Sequence, residues 1–271
     1  MKILSWNILE DSAIDFKDTQ RDYPTIHTNQ LKANTRIKKI IQILEYSRAD
    51  VILLQEVSLP WTRKLKSKLV EYRSLGLCKH NQSIWPKDYK IKAYGNLTLI
   101  RKSVIEDITH KCITITDLGT AFDVTGVQFK HWNFPVCFIN SHFDSAEHKN
   151  RMTEAEAMLH FAEAWETNNK EKVAIILAGD FNTDAKDLHK LFNESGFQSA
   201  IDKDAIKIKS TFLCEKPMID YIYVKGLQVT KSGIWNEPVK TGRIKCFQET
   251  LKRGSDHYPV WAEMELSLIH I

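Results

Sequence analysis

Residues 173–183 read VAIILAGDFNT, an apolar, β-branched run that stops at Gly179 and delivers Asp180 and then Asn182. Such a strand is buried on both faces, and a carboxylate is costly where burial is deep. A turn or helix cap would account for both residues, since Asp and Asn favour each and the TDAKDLHKLF that follows has helical character. Similar borders recur along the chain. Asn7 follows ILSW, Glu56 follows VILLQ, His142 follows CFINS, Asp220 lies in MIDYIYV, and Asp256 and His257 precede YPVWAEM. Singly, each reads as a turn former, a solvated acid or a satisfied histidine. Gathered at one edge of a sheet, they would have a specific chemistry. Carboxylates and an amide oxygen are hard ligands suited to Mg²⁺ or Mn²⁺. An imidazole beside an Asp suits phosphate, because the protonated ring neutralises developing negative charge while the carboxylate orients it. An Asp with an Asn close by can hold and activate a water for in-line attack on phosphorus. Together they spell phosphate-ester hydrolysis.

Periodicity indicates the elements that must position these residues. Residues 1–8 alternate into a short strand, and a polar stretch to about residue 30 reads as a long loop. Ile37, Ile40, Ile41 and Leu44 form one apolar helical face. Buried-type strands are expected at 50–57, 96–101, 111–116, 122–129, 135–140, 173–178, 219–224 and 258–266. Helices are expected at 65–72, 152–165 and 184–194. Between 96 and 140 there is no room for crossover helices, so those strands should pair antiparallel. The pattern predicts a two-sheet α/β sandwich with helices outside rather than a doubly wound sheet.

At 271 residues, without a Pro/Gly/Ser-rich linker or repeat, the chain reads as one domain over 1–271, with a monomer as the default. A net charge of +4 is compatible with an anionic substrate without requiring one. Five cysteines (Cys78, Cys112, Cys137, Cys214, Cys246) are an odd number without CxxC spacing. That argues against a disulfide framework or structural zinc and for a reducing intracellular compartment, cytoplasm or nucleus. No apolar run approaches the ~18 residues needed to span a bilayer, and MKILSWNILE turns polar too soon for a signal peptide.

SWNI at Asn7, LLQEV at Glu56, INSHFDS at His142, GDFNT at Asp180 and Asn182, and SDHYPV at Asp256 and His257 resemble, in order, the successive signatures of the endonuclease/exonuclease/phosphatase superfamily. The resemblance implies a four-layered α/β sandwich with two stacked, mainly antiparallel sheets, as in deoxyribonuclease I, and a Mg²⁺-dependent phosphoesterase. It implies that Glu56 is the principal metal ligand, assisted by Asn7 and Asp256. Asp180 would orient or deprotonate the attacking water, and Asn182 would hydrogen-bond the water or the phosphate. His142 and His257 would bind phosphate oxygens, with Asp220 orienting His257.

The superfamily contains nucleases, deadenylases, tyrosyl-DNA phosphodiesterases, sphingomyelinases and inositol-polyphosphate phosphatases, so the fold does not give the substrate. The inositol phosphatases' GDLNYR and PSWCDR-like segments are missing, and QEV stands where abasic-site endonucleases show QET. WNILEDSA and IDYIYV are similar to deadenylase-like members. SHFDS, with Ser145 and the downstream Arg151, is similar to the 5′-tyrosyl-DNA phosphodiesterases and would place both residues at the substrate. Residues 79–94 interleave Lys79, Lys87, Lys90 and Lys92 with Trp85, Tyr89 and Tyr94. Such a stretch would suit a single-stranded or frayed nucleic-acid end, and it would equally suit a solvated loop pinned by its aromatics. Trp61 with Arg63, Lys64, Lys66 and Lys68 invites the same pair of readings. The expectation is a nuclease or 5′-end-processing phosphodiesterase acting in DNA repair. The alternatives are a lipid or inositol-phosphate phosphoesterase and a non-catalytic nucleic-acid-binding module.

Overall fold

Side-chain alternation decides which way each strand of this protein faces. In β1 (Lys2–Asn7), Ile3 packs into one core while Leu4 and Trp6 pack into another. In β2 (Val51–Ser58), Val51 and Leu53 join the first core, and Ile52 and Leu54 the second. A strand apolar on both faces must be covered on both, which dictates layers. The computed structural model describes residues 1–9, 33–81, 94–115, 117–169, 173–201, 210–212, 217–235 and 254–266.

Two six-stranded sheets face each other. The first runs β11-β12-β1-β2-β4-β3, with β3 at Tyr72–Lys79, β4 at Tyr94–Arg101, β11 at Leu227–Ile234 and β12 at Val260–Leu266. The second runs β5-β6-β7-β8-β10-β9. Its strands are β5 Ile105–Thr114, β6 Ala121–Phe129, β7 Pro135–His142, β8 Ala174–Asp180, β9 Gln198–Ser199 and β10 Asp220–Lys225. Helices α1 (Ala33–Ser47) and α2 (Leu59–Lys68) cover the outside of the first sheet. Helices α3 (His148–Asn168) and α4 (Lys186–Glu194) cover the second. The α1 stripe buries Ile37, Ile40, Ile41 and Leu44 as its periodicity predicts. The four layers are those of the deoxyribonuclease-I-like sandwich.

Among the described residues each sheet contains one parallel pair, β1 with β2 and β7 with β8, and the other pairings are antiparallel. The expected antiparallel run from 96 to 140 holds for β5, β6 and β7. β4, however, pairs with β2 and β3, and a 3₁₀ turn at Lys102–Val104 carries the chain to the other sheet. The helix expected at 65–72 lies at Leu59–Lys68, with Pro60 in its first turn, and Tyr72 begins an edge strand. Trp61 is buried beneath Arg36, which removes it from base stacking, and the basic residues of α2 form its wet face. β3 and β11 escape a sequence reading because, as outer strands, they bury too little to alternate clearly. A disulfide between Cys78 on β3 and Cys112 on β5 joins the outer strands of the two sheets, contrary to the expectation of unpaired cysteines. Cysteines without motif spacing can still meet when two sheets stack. Among the described residues no helix is long and apolar enough to cross a membrane.

Close approach of β7 and β8 requires a glycine just before Asp180. Gly179 has φ +151°, and a methyl group there would lie 1.8 Å from the Ser141 carbonyl oxygen. Gly179→Ala should therefore cost about 3 kcal/mol or more of stability. A denaturant midpoint equal to that of the wild type would show that the strands can separate at that point.

Candidate active site at the ends of two parallel strand pairs

The two parallel pairs end at the same place, and the polar residues emerge there. Parallel β1 and β2 set Asn7 beside Gln55, with Glu56 next along. Alternation would send Glu56 outward with Ile52 and Leu54. Instead the β2–β4 register shifts between Leu54 and Val57, and Glu56 adopts φ +54°. The bulge turns the Glu56 carboxylate back to Asn7, whose Nδ2 donates to Glu56 Oε1 at 2.8 Å, while Val57 takes the outward position. On the facing sheet His142 lies opposite Asp180, and Asp220 lies opposite Asp180 from the other side. Asn7 Nδ2 also donates to Asp180 Oδ2 at 3.0 Å, so one amide joins the two sheets.

Asp180 is almost fully buried, and its Oδ1 accepts the Asn182 N–H at 2.9 Å. Its Oδ2 lies 3.7 Å from His142 Nε2 and 3.6 Å from His257 Nε2. His257 Nδ1 is 2.9 Å from Asp220 Oδ2, which assigns the Nδ1 proton to that bond and aims Nε2 at Asp180. His142 Nε2 is also 3.9 Å from Glu56 Oε1, and His257 Nε2 is 3.9 Å from Asp256 Oδ1. Asn182, at φ +52°, donates through Nδ2 to the Phe143 carbonyl at 2.8 Å. The eight core residues expected from the sequence thus converge, and Asp180 does not cap the helix that follows, which begins at Lys186 with Ala185 as its N-cap.

Burial would depress the His257 pKa, but the Asp220, Asp180 and Asp256 carboxylates outweigh it and raise it well above the usual range. Burial also pushes Asp220 up against the opposing pull of His257. Asp256 is raised by burial, with the Glu56 carboxylate adding to the effect against His257. Two donor groupings are possible for a cation. Asp180, Asp220 and His257 place ligating atoms within 4.8 Å of one another, but Asp220 and His257 already engage each other. Glu56 and Asp256 offer carboxylate oxygens that suit a hard cation, while Asn7 turns its Nδ2 to Glu56 and its Oδ1 to the Leu9 N–H at 3.0 Å, so it would have to turn its amide to add an oxygen.

Other residues build the site without a motif to announce them. Ser255 Oγ donates to the Asn7 carbonyl at 2.7 Å and accepts the His257 N–H at 3.1 Å. Thr211 Oγ1 accepts the Ile219 and Asp220 N–H groups at 3.0 and 3.1 Å. Arg36, fully buried, donates to the carbonyls of Gly254 and Ile8 at 2.7 and 2.8 Å and also to that of Leu9. A charged residue four before Ile40, on the apolar stripe of α1, was its available signal. Of the expected substrate residues, Ser145 lines a depression beside His142 together with His80, Tyr94 and Thr120. Arg151 Nη1 donates to the Asp144 carbonyl at 3.0 Å and so braces that loop. Trp85, Tyr89, Lys87 and Lys90 lie outside the described residues.

The sequence model of the Endonuclease/Exonuclease/phosphatase family matches residues 4–257. No curated protein sequence matches the chain. Solved structures that match it include a mannosyl-6-phosphatase of Bacteroides thetaiotaomicron, 20% identical with a TM-score of 0.70, covering 98% of this chain and 100% of that one. The human Nocturnin catalytic domain with bound sulfate is 16% identical with a TM-score of 0.72, covering 98% and 94%. TDP2 of D. rerio, complexed with single-strand DNA product, is 16% identical with a TM-score of 0.67, covering 98% of each chain. This chain belongs to the endonuclease/exonuclease/phosphatase family, a family of phosphoester hydrolases.

Glu154 on α3 provides a test of the site's rim apart from its chemistry. Fully buried, it accepts the Asp144 N–H at 2.8 Å and the Thr120 hydroxyl. Burial pushes its pKa up to about 7, from an unfolded value of 4.5. The folded state therefore holds the proton more tightly, and the stability this provides is complete below pH 4.5 and lost as pH rises through about 7. Thermal melts of wild type should fall relative to Glu154→Gln across that window; parallel pH profiles would refute the assignment.

Proposed function

We propose that this family member is a phosphodiester hydrolase acting at nucleic-acid ends, with Mg²⁺ or Mn²⁺ held by Glu56 and Asp256, assisted by Asn7. The observation that carries hydrolysis is the convergence of His142 and His257, from opposite sheets, on the one oxygen Asp180 Oδ2. Asp180 is held by Asn182 N–H and Asn7 Nδ2 through hydrogen bonds that fix its plane, so it can take a proton from a water aimed at phosphorus. Asp220 locks His257 by the Nδ1 bond, and the raised pKa keeps a proton on Nε2 for a phosphate oxygen. His142 serves the phosphate from the other side, and Asn182 positions the water or the phosphate. When bound, the cation would polarise a phosphoryl oxygen and neutralise charge on the departing group.

Support for nucleic acid comes from where residues 79–94 begin and end. His80 and Tyr94, at either end of that basic and aromatic stretch, have ring centroids 5.9 and 6.2 Å from His142. Trp85, Lys87, Tyr89 and Lys90 lie between these two residues in the sequence, and their types suit base stacking and phosphate contact. Ser145 and the loop braced by Arg151 border the same depression.

A single-stranded oligonucleotide labelled at its 3′ end and carrying a 5′-phosphotyrosyl group distinguishes the outcomes. Full-length 5′-phosphate formed with Mg²⁺ but not in EDTA would mean end processing, and a ladder of shorter fragments would mean a nuclease. No metal-dependent product, with phosphate released from mannose 6-phosphate instead, would replace nucleic acid by a phosphosugar. Asp180→Asn should lower turnover about 10²- to 10⁴-fold with the fold intact, and near-normal turnover would remove Asp180 from its role. Replacing Trp85 and Tyr89 by Ala should raise KM for the oligonucleotide but not for a small phosphodiester; equal changes would discard the stacking segment.

A further inference from the structure

A second group of metal-binding side chains lies between the sheets, away from the candidate active site. His110 and Cys112 are two apart on β5 and share its inner face. Asp123 on β6 lies directly opposite Cys112 in the ladder. Cys78 reaches the same point from β3 of the other sheet. The group runs from the interior to the surface: Cys78 and Asp123 are buried, the His110 side chain is 20% exposed, and Cys112 is exposed.

We propose that Cys78, His110, Cys112 and Asp123 form a zinc site that fills when the Cys78–Cys112 disulfide is reduced. His110 Nε2 lies 3.6 Å from Cys78 Sγ, 4.0 Å from Cys112 Sγ and 3.2 Å from Asp123 Oδ1. Bond lengths of about 2.3 Å to sulfur and 2.0–2.2 Å to nitrogen and oxygen place tetrahedral neighbours about 3.6 Å apart for N and S and about 3.4 Å for N and O. The imidazole thus stands at first-coordination spacing from Cys78 and close to it from Asp123, Cys112 must move slightly nearer, and Asp123 must close on the sulfurs, since Cys78, His110 and Cys112 are the three whose ligating atoms lie within 4.8 Å of one another. The two sulfurs must part, and with the Cα atoms 5.3 Å apart this is a matter of side-chain rotation.

Asp123 provides an independent observation. It is fully buried; Thr125 donates to Oδ1 at 2.8 Å, and Oδ2 has no hydrogen-bond partner. A buried carboxylate oxygen left without a donor is uncommon and costly, and a divalent cation beside it would meet that need. Absence of CxxC spacing spoke against zinc in the sequence because here the ligands come from three strands and two sheets. Reduction by a dithiol would break the S–S bond, transferring two electrons and two protons to the cysteines while the dithiol becomes a disulfide. Zinc binding would then release the two thiol protons.

The test uses full-length protein, reduced and freed of reductant without oxygen, and titrated with Co²⁺ in excess Mg²⁺. Thiolate-to-cobalt absorption excludes the acidic site, which contains no sulfur, and Cys112→Ser separates this site from Cys137, Cys214 and Cys246. One equivalent of Co²⁺ should bring up the band and one equivalent of Zn²⁺ should bleach it. Cys112→Ser should abolish the band, and His110→Gln and Asp123→Asn should each weaken binding at least about tenfold. No band in reduced wild type that retains its circular dichroism would overturn the site. Unchanged affinity in both His110→Gln and Asp123→Asn would also overturn it.

Discussion

The Asn7 side chain bridges two sheets whose contact is otherwise largely apolar, donating to Glu56 on its own sheet and to Asp180 on the other. A polar group taken out of water must be paired, and these partners exist only in one register of sheet on sheet. Gln55 and Asn140 repeat the arrangement one layer deeper, with Gln55 Nε2 donating to Asn140 Oδ1 at 2.7 Å and Asn140 Nδ2 to the Leu54 carbonyl at 3.1 Å. A one-residue slip in β1 or β7 would turn these side chains to the opposite face and leave their partners buried and unpaired. The hydrogen bonds that hold the sheets in register are the same ones that aim the site.

Within that frame the site concentrates negative charge. Asp180, Asp220 and Asp256 surround His257 and hold its proton, and Glu56 stands beside His142. The crowding of four carboxylates is one that a divalent ion would relieve. The backbone is also drawn away from easy conformations where chemistry is expected. Glu56 and Asn182 occupy the left-handed region, which is mildly unfavourable for Asn and more so for Glu. Both positions re-aim a side chain that regular strand geometry would have sent elsewhere.

Strands and helices that bury a full face were legible in the sequence. β1, β2, β6, β7 and β8 alternate or run apolar as layered strands must, and the α1 stripe lies where its spacing placed it. β3 and β11 were not legible, because an outer strand buries so little that its pattern resembles a loop. The boundary of α2 was misplaced since Leu65 and Leu69 suit either a helix or its end, and Pro60 was the better marker. Arg36 left only its place on the apolar stripe of α1 as a signal: one arginine on a helix reads as surface, and the packed structure shows it clamping the carbonyls of Ile8 and Gly254.

By itself the sequence determined the donor types and their order along the chain. Apolar runs that end in Asn7, Glu56, His142 and Asp180, or that follow Asp220 and His257, carry that information locally, because a strand's composition and its border residue are neighbours in the chain. Tertiary structure alone decided which of those ends meet. The convergence on Asp180 Oδ2 depends on two parallel pairs finishing at one edge and on a bulge that reverses Glu56. The meeting of Cys78 with Cys112 depends on stacking two outer strands. These are contacts between residues far apart in sequence, and their geometry is set by sheet register and packing, which no local pattern encodes.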